Sequence, residues 1–222
     1  MDKLKIMLLL LAIGLNVANA DEGVKIGQTY QGGIVFFVDV GGQHGLIAAK
    51  ADQNGGAGIQ WFNGTYFVTN ATADGLYAGT ENTGVIISTQ TTVALACGET
   101  SPPAYCISPE PGFPSPPGNN AALVAANYSV LGDGVTACKG TPSEKCYGDW
   151  YLPSKYELNL MYSNIGQGAV GRNNNKGGFT NYAYWSSSEY DNITAWYQNF
   201  LNSFQLTANK MDPLWVRAVR AF

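Results

Sequence analysis

The chain has 222 residues, of which 45% are hydrophobic and 13% are charged, and its formal net charge is −4 at pH 7. This length is sufficient to bury the core of one domain. An acidic chain is repelled by polyanions at long range, so its charge argues against nucleic acid as a partner.

The first 20 residues have the form of a secretory signal peptide. Lys3 and Lys5 give a basic start, an apolar stretch runs from Met7 to Leu15, and residues 18–20 form a small-residue cleavage site. The apolar stretch is short for a membrane span, and no later segment is apolar enough to be one. We therefore predict an exported chain (secreted, periplasmic or at the cell surface) with one domain over residues 21–222.

The first elements of this domain have the pattern of a β-hairpin. Residues 34–38 are β-branched or aromatic, residues 41–45 are a glycine-rich turn that contains His44, and residues 46–49 return as a second apolar run. Residues 60–68 are aromatic and predict a further strand. The composition of residues 82–96 predicts a helix that ends near Cys97, although its β-branched residues oppose helix formation.

An irregular segment follows over about residues 98–120. Its seven prolines exclude a regular helix or an inner strand, so we predict an inserted loop. Asn119 or Asn120 can then cap a short helix that extends to about Tyr128.

Four cysteines remain in the exported chain, and an even number in this compartment indicates two disulfides. Three pairings are open. We favour Cys97–Cys106 and Cys138–Cys146, because each closes a short loop that contains proline or glycine. No cysteine pair has the CxxC spacing of a zinc site and His44 is distant, so we predict no metal site and no cofactor.

The C-terminal part predicts one helix and then a group of strands. Ser154 and Glu157 have the spacing of a capping box at the start of a helix that stops near Gly166. The predicted strands then cover residues 184–187, 195–200, 204–207 and 215–222, and the last of them should be internal or well paired. A hairpin, helices and an antiparallel strand cluster define the α+β class, here with two or three helices and long loops.

Several blocks of this sequence resemble one domain family. The blocks are GDWYLPSK (148–155), YWSSSE (184–189), AWY (195–197), VRAVRAF (216–222), GGIVFFV (32–38), GLIAA (45–49) and Asn82-Thr83. Together they are similar to the C-terminal domain of the Legionella collagen-like adhesin, over roughly residues 26–222.

This resemblance implies a C-type-lectin-like fold, related in shape to the formylglycine-generating enzymes, and a surface or secreted role. In the adhesin, the domain is linked to trimer assembly and to the binding of sulfated glycans. The present chain lacks collagen repeats, and its acidic balance offers no broad cationic face. No cysteine falls in the matched blocks, so catalysis by reactive cysteines is not expected here.

Six residues of the signature are interpreted as structural. Large aromatic side chains usually build the core, which we expect for Trp150 and Trp185. Charged residues of the blocks could form a catalytic group, but arginine also pairs with carboxylates at partly buried positions. We predict that an arginine of the last strand, Arg217 or Arg220, bonds Asp149 or Glu189 and holds that strand in place. We assign no catalytic residue.

Candidate ligand-binding residues lie in two polar loops, because binding residues concentrate in loops on a rigid scaffold. Asp191 and Asn192 could offer oxygen ligands to Ca²⁺, but no dense acidic spacing surrounds them. Trp196 and Tyr197 occupy adjacent strand positions and must face opposite sides, so one of them can be exposed. The full candidate set is Arg172, Asn174, Lys176, Tyr190, Asp191, Asn192 and Trp196.

These observations predict a binding module and not an enzyme, with a glycan or another host or cell-surface ligand as its partner. Two alternatives stay open. A secreted hydrolase acting on glycans or peptides would need two carboxyl groups roughly 5–9 Å apart in a cleft. A structural component would use the same fold to form a homotrimer.

Overall fold

The computed structural model describes residues 23–97 and 119–222, with the side chains of residues 92–97 excepted. The predicted signal peptide, most of the proline-rich loop and the proposed Cys97–Cys106 bond lie outside these residues. The described part has an α+β architecture with three α-helices and two small antiparallel sheets. The α+β class is therefore confirmed.

The first sheet is formed by strands from both ends of the domain. The strands are β1 (Thr29–Tyr30), β2 (Gly33–Val38), β3 (Gly45–Ala49) and β7 (Val219–Ala221). Their order in the sheet is β1-β2-β3-β7, and every neighbouring pair is antiparallel. The hairpin predicted near residue 40 is confirmed as β2 and β3.

The second sheet is a meander of three consecutive strands in the order β4-β5-β6. Its strands are β4 (Ala183–Glu189), β5 (Thr194–Asn199) and β6 (Gln205–Asn209), close to the predicted positions. The helices are α1 (Ala78–Cys97), α2 (Ala121–Ala126) and α3 (Lys155–Ile165). In the part of the chain that the structure describes, no helix combines the length and the apolar character needed to cross a bilayer.

Local sequence signals explain both short helices. The side chain of Asn120 accepts a hydrogen bond from the Leu123 amide and caps α2. Ser154 and Glu157 form the predicted capping box at the start of α3. Glu157 is fully buried and also accepts hydrogen bonds from the Tyr77 amide and the Tyr151 hydroxyl, so one side chain joins the starts of α1 and α3.

Hydrophobic clusters cover both faces of the first sheet. Phe36 of β2 and Leu46 of β3 pack in one cluster with Leu158, Met161 and Ile165 of α3. Their neighbours Val35 and Ile47 pack in the other cluster with residues of α2. Burial on both faces explains why β2 and β3 are continuous apolar runs without polar alternation.

Three tryptophans form part of the core, as predicted for two of them. Trp61, Trp150 and Trp185 are almost fully buried. Each indole N–H donates to a backbone carbonyl, at Ser186, Tyr147 and Ile59 respectively. These bonds satisfy the one polar atom that would otherwise oppose burial of the ring.

Two strand predictions require correction. Residues 60–68 do not form a strand, because Trp61 and the adjacent Phe62 both enter the core and Gly64 turns the chain at φ +100°. The final strand is shorter than predicted. Trp215 makes only an isolated bridge to β4, and regular pairing is confined to β7, which contacts β3 on one side and Tyr151 on the other.

One disulfide occurs within the described residues, between Cys138 and Cys146, whose Cα atoms are 5.8 Å apart. It closes a short loop before α3, as predicted. A disulfide of this kind is compatible with an oxidising compartment such as that of exported proteins.

Candidate ligand-binding surface

The loop between β4 and β5 rests on a buried ion pair. Lys210 Nζ lies 2.6 Å from Glu189 Oε1, and the two side chains are 0% and 1% exposed. Lys210 Nζ also donates to the carbonyl oxygens of Phe67 and Asn192 and lies 4.8 Å from the centre of the Trp61 ring. Burial lowers the pKa of Lys210, an effect that the adjacent Glu189 opposes. These contacts anchor both ends of the loop, at Glu189 and Asn192, to the buried Lys210 side chain.

The carboxylate of Glu189 has a second structural role. It accepts hydrogen bonds from the backbone amides of Thr69 and Asn70, and Asn70 has the unusual φ of +62°. The Glu189 amide in turn donates to the carbonyl of Ala71. The segment 69–71 and the end of β4 are consequently held together by one charged group.

Asp191 shapes the tip of the same loop. Its carboxylate accepts hydrogen bonds from the amides of Ile193 and Thr194 and from the Thr194 hydroxyl. These donors lower the pKa of Asp191 below its ordinary value of 3.8. The side chain therefore stabilises the turn, and Asn192 contributes its backbone carbonyl to Lys210.

The loop presents an aromatic ring to the solvent. Tyr190 is 60% exposed and packs edge-on against Trp196, with ring centres 5.5 Å apart. Lys155, the first residue of α3, places Nζ 4.3 Å from the centre of the Trp196 ring and 3.7 Å from Asp74 Oδ2. We call Tyr190, Trp196 and Lys155 the aromatic surface.

The backbone beneath the aromatic surface is fixed by side chains from the second sheet. The Ser188 hydroxyl accepts a hydrogen bond from the Lys155 amide, and Gln205 Nε2 donates to the Lys155 carbonyl. Trp196 and Tyr197 are both half-buried, so neither of these two neighbours is fully exposed. Tyr190 is thus the more open of the two rings of the aromatic surface.

The second predicted loop, residues 172–178, has a different character. The Asn174 side chain donates to the carbonyls of Gln167 and Ala169, so it stabilises the loop itself. Arg172 and Lys176 are exposed and form no ion pair with another described residue. Within the described residues no hydrogen bond joins this loop to residues 189–193.

Arg217 holds the end of that second loop. Its Nη1 donates to the carbonyls of Ala49 and Gly177, and its Nη2 lies 2.7 Å from Asp52 Oδ1. Both charged side chains are almost fully buried. The prediction that an arginine of the last strand bonds Asp149 or Glu189 is wrong. Arg217 forms its ion pair with Asp52, and Glu189 forms its ion pair with Lys210.

Arg220 and Asp149 have separate structural positions. Arg220 Nε donates to the Gly148 carbonyl and its Nη1 donates to Gln31 Oε1. Asp149 has φ +60° in the turn that leads to the buried Trp150. Arg220 therefore bonds the backbone beside Asp149 and not its carboxylate.

Three charged residues that matter here were not among the candidates. Asp52, Lys155 and Lys210 all pair with groups far away in sequence, and no local motif predicts these pairings. Lys155 belongs to the matched block 148–155, but its position over Trp196 depends on how α3 meets the second sheet.

The described residues contain no group of three or more His, Cys, Asp or Glu side chains that could hold a metal ion. His44 has one such neighbour, Asp39, at 3.2 Å on the exposed hairpin turn.

No family model matches the chain, and the comparison with curated proteins gives no match either.

Proposed function

We propose that this protein is an exported binding module that recognises a glycan, or a similar ligand of a host or cell surface, through the aromatic surface. The observation that supports this most directly is the exposed Tyr190 ring, held edge-on against Trp196 beside the cation of Lys155. Aromatic rings pack on the apolar faces of sugar rings, and an adjacent amine can bond hydroxyl or acidic groups.

The support beneath the aromatic surface favours binding without large rearrangement. The Lys210–Glu189 pair ties the loop to the core, and Asp191 ties it to its own backbone. A preorganised loop spends less free energy on ordering when it binds. The C-type-lectin-like fold belongs to the same proposal, since it rests on the resemblance of the signature blocks.

The carboxylates are placed more suitably for structure than for hydrolysis. Glu189 and Glu157 are buried, and their oxygens accept hydrogen bonds from backbone amides. Asp52 is bonded to Arg217 and to the Tyr184 hydroxyl. A glycosidase needs two carboxyl groups that face a substrate across a cleft, so these bonds favour the binding module over the secreted hydrolase.

The test uses the mature chain, residues 21–222, on an array of immobilised neutral and sulfated glycans, followed by affinity measurement on each glycan that binds. We expect Tyr190→Ala to weaken binding about tenfold and Tyr190→Phe to retain it, because the ring supplies the contact. Phe204→Ala is the matched control, since Phe204 is also 60% exposed but belongs to another turn.

Two results would contradict the proposal. One is a blank array together with no capture of host surface material. The other is an equal loss of affinity in Tyr190→Ala and Phe204→Ala. Light scattering of the same sample decides whether a homotrimer presents three copies of the aromatic surface, in which case avidity raises the apparent affinity.

A further inference from the structure

A separate pocket, largely open to the solvent, lies between the turn that follows β3 and the end of α2. We call it the cavity, and its volume is about 360 Å³. One side is formed by residues 52–55, and the other by Val124, Asn127 and Tyr128. None of these residues belongs to the aromatic surface.

The side formed by residues 52–55 is rigid. Asp52 accepts hydrogen bonds from Arg217 and from the Tyr184 hydroxyl, and the buried Gln53 side chain bridges the Ala218 amide and the Ala51 carbonyl. Asn54 and Gly55 then turn the chain with φ of +55° and +63°. The position of this wall is consequently set by the core.

The opposite side combines one aromatic ring with an amide. Tyr128 is half-buried and packs edge-on against Trp150, with ring centres 5.1 Å apart. Burial raises the pKa of Tyr128, so its hydroxyl stays neutral and can both donate and accept. Asn127 is exposed, and its side chain makes no hydrogen bond to another described residue.

The lining selects the chemistry of a ligand. The negative charge of Asp52 is matched by Arg217, so the cavity has no unpaired charge for an ionic group. The exposed Asn127 amide and the Tyr128 hydroxyl can instead exchange hydrogen bonds with hydroxyl groups of a ligand, while the Tyr128 ring covers an apolar face. We propose that this cavity binds a neutral sugar residue, as a second site independent of the aromatic surface.

The test is NMR of the isotope-labelled mature chain, residues 21–222, titrated with millimolar methyl glucoside, methyl galactoside, methyl mannoside or N-acetylglucosamine. We expect saturable shifts of the Gly55, Asn127 and Tyr128 amides with at least one probe. Asn127→Ala should weaken that binding about five- to tenfold, the value of one hydrogen bond, while the exposed position keeps the fold intact. Phe204→Ala should leave it unchanged.

The other outcomes of this test contradict the proposed sugar site in the cavity. The absence of shifts at Gly55, Asn127 and Tyr128 with all four probes would overturn the proposal. Shifts that Asn127→Ala leaves unchanged would also overturn it. So would a comparison titration in which galactose 6-sulfate binds more strongly than galactose. Shifts confined to Tyr190 and Trp196 would overturn it too, while supporting the aromatic surface, so the two proposals fail separately.

Discussion

Replacing Lys210 with methionine should destabilise the protein strongly. Methionine fills a similar volume but leaves the Glu189 carboxylate, 1% exposed, without its cation. It also removes the hydrogen-bond donor of the Phe67 and Asn192 carbonyls. Breaking a buried pair by deleting one partner costs about 3–5 kcal/mol. For a domain of this size that corresponds to a decrease in melting temperature of roughly 6–20 °C.

The measurement is urea unfolding of residues 21–222 under non-reducing conditions, followed by circular dichroism. Lys155→Met is the matched control, because Lys155 pairs with Asp74 at 3.7 Å while 30% exposed. An exposed pair of this kind contributes less than about 1 kcal/mol. The two variants delete the same groups and differ mainly in burial.

A double variant separates the charge from the packing. In Lys210→Met with Glu189→Gln, no charge is left buried, and a glutamine oxygen in the place of Glu189 Oε2 can still accept from the amides of Thr69 and Asn70. We expect recovery of about 1–3 kcal/mol relative to Lys210→Met alone. If Lys210→Met is no more harmful than Lys155→Met, the reasoning on the buried pair is refuted.

Two further predictions concern the arginines and the tip of the β4–β5 loop. Arg217→Lys should lower the free energy of unfolding by about 2–3 kcal/mol, since lysine cannot reproduce the fork that bonds Asp52 and three carbonyls. Arg220→Lys, measured by the same urea unfolding, should cost less than about 1 kcal/mol, and equal losses would contradict this. Because hydrogen bonds lower the Asp191 pKa, the stability that they contribute is present above pH 3.8 and is lost as the pH falls through the folded-state pKa. An NMR titration should show the chemical shift of the Thr194 amide changing only below about pH 4. A chemical shift that does not change with pH, or the same titration curve in Asp191→Ala, would contradict this role of Asp191.

The elements that were predicted correctly depend on residues close together in the chain. The capping box of α3 needs Ser154 and Glu157, three residues apart, and the cap of α2 needs Asn120 and the Leu123 amide. The Cys138–Cys146 disulfide spans eight positions. In each case neighbouring residues meet through local geometry alone, so the pattern of residue types is sufficient.

The contacts of the candidate residues could be predicted only in part. Tyr190 and Trp196 do meet, because a short turn brings β4 and β5 together. Asn174 and Asp191 proved to stabilise their own loops, since short polar side chains readily bond nearby backbone groups. A polar loop residue looks the same in sequence whether its donors face a ligand or its own backbone.

Residue type and close spacing were sufficient to predict the α+β class, the caps, the hairpin and one short disulfide. The charge pairs and the cavity depend on how distant segments of the chain pack together. Arg217 and Asp52 are 165 positions apart, and Lys210 and Glu189 are 21 apart. Several carboxylates are chemically equivalent partners for each cation, and the choice among them depends on which one the packed strands bring within hydrogen-bonding distance.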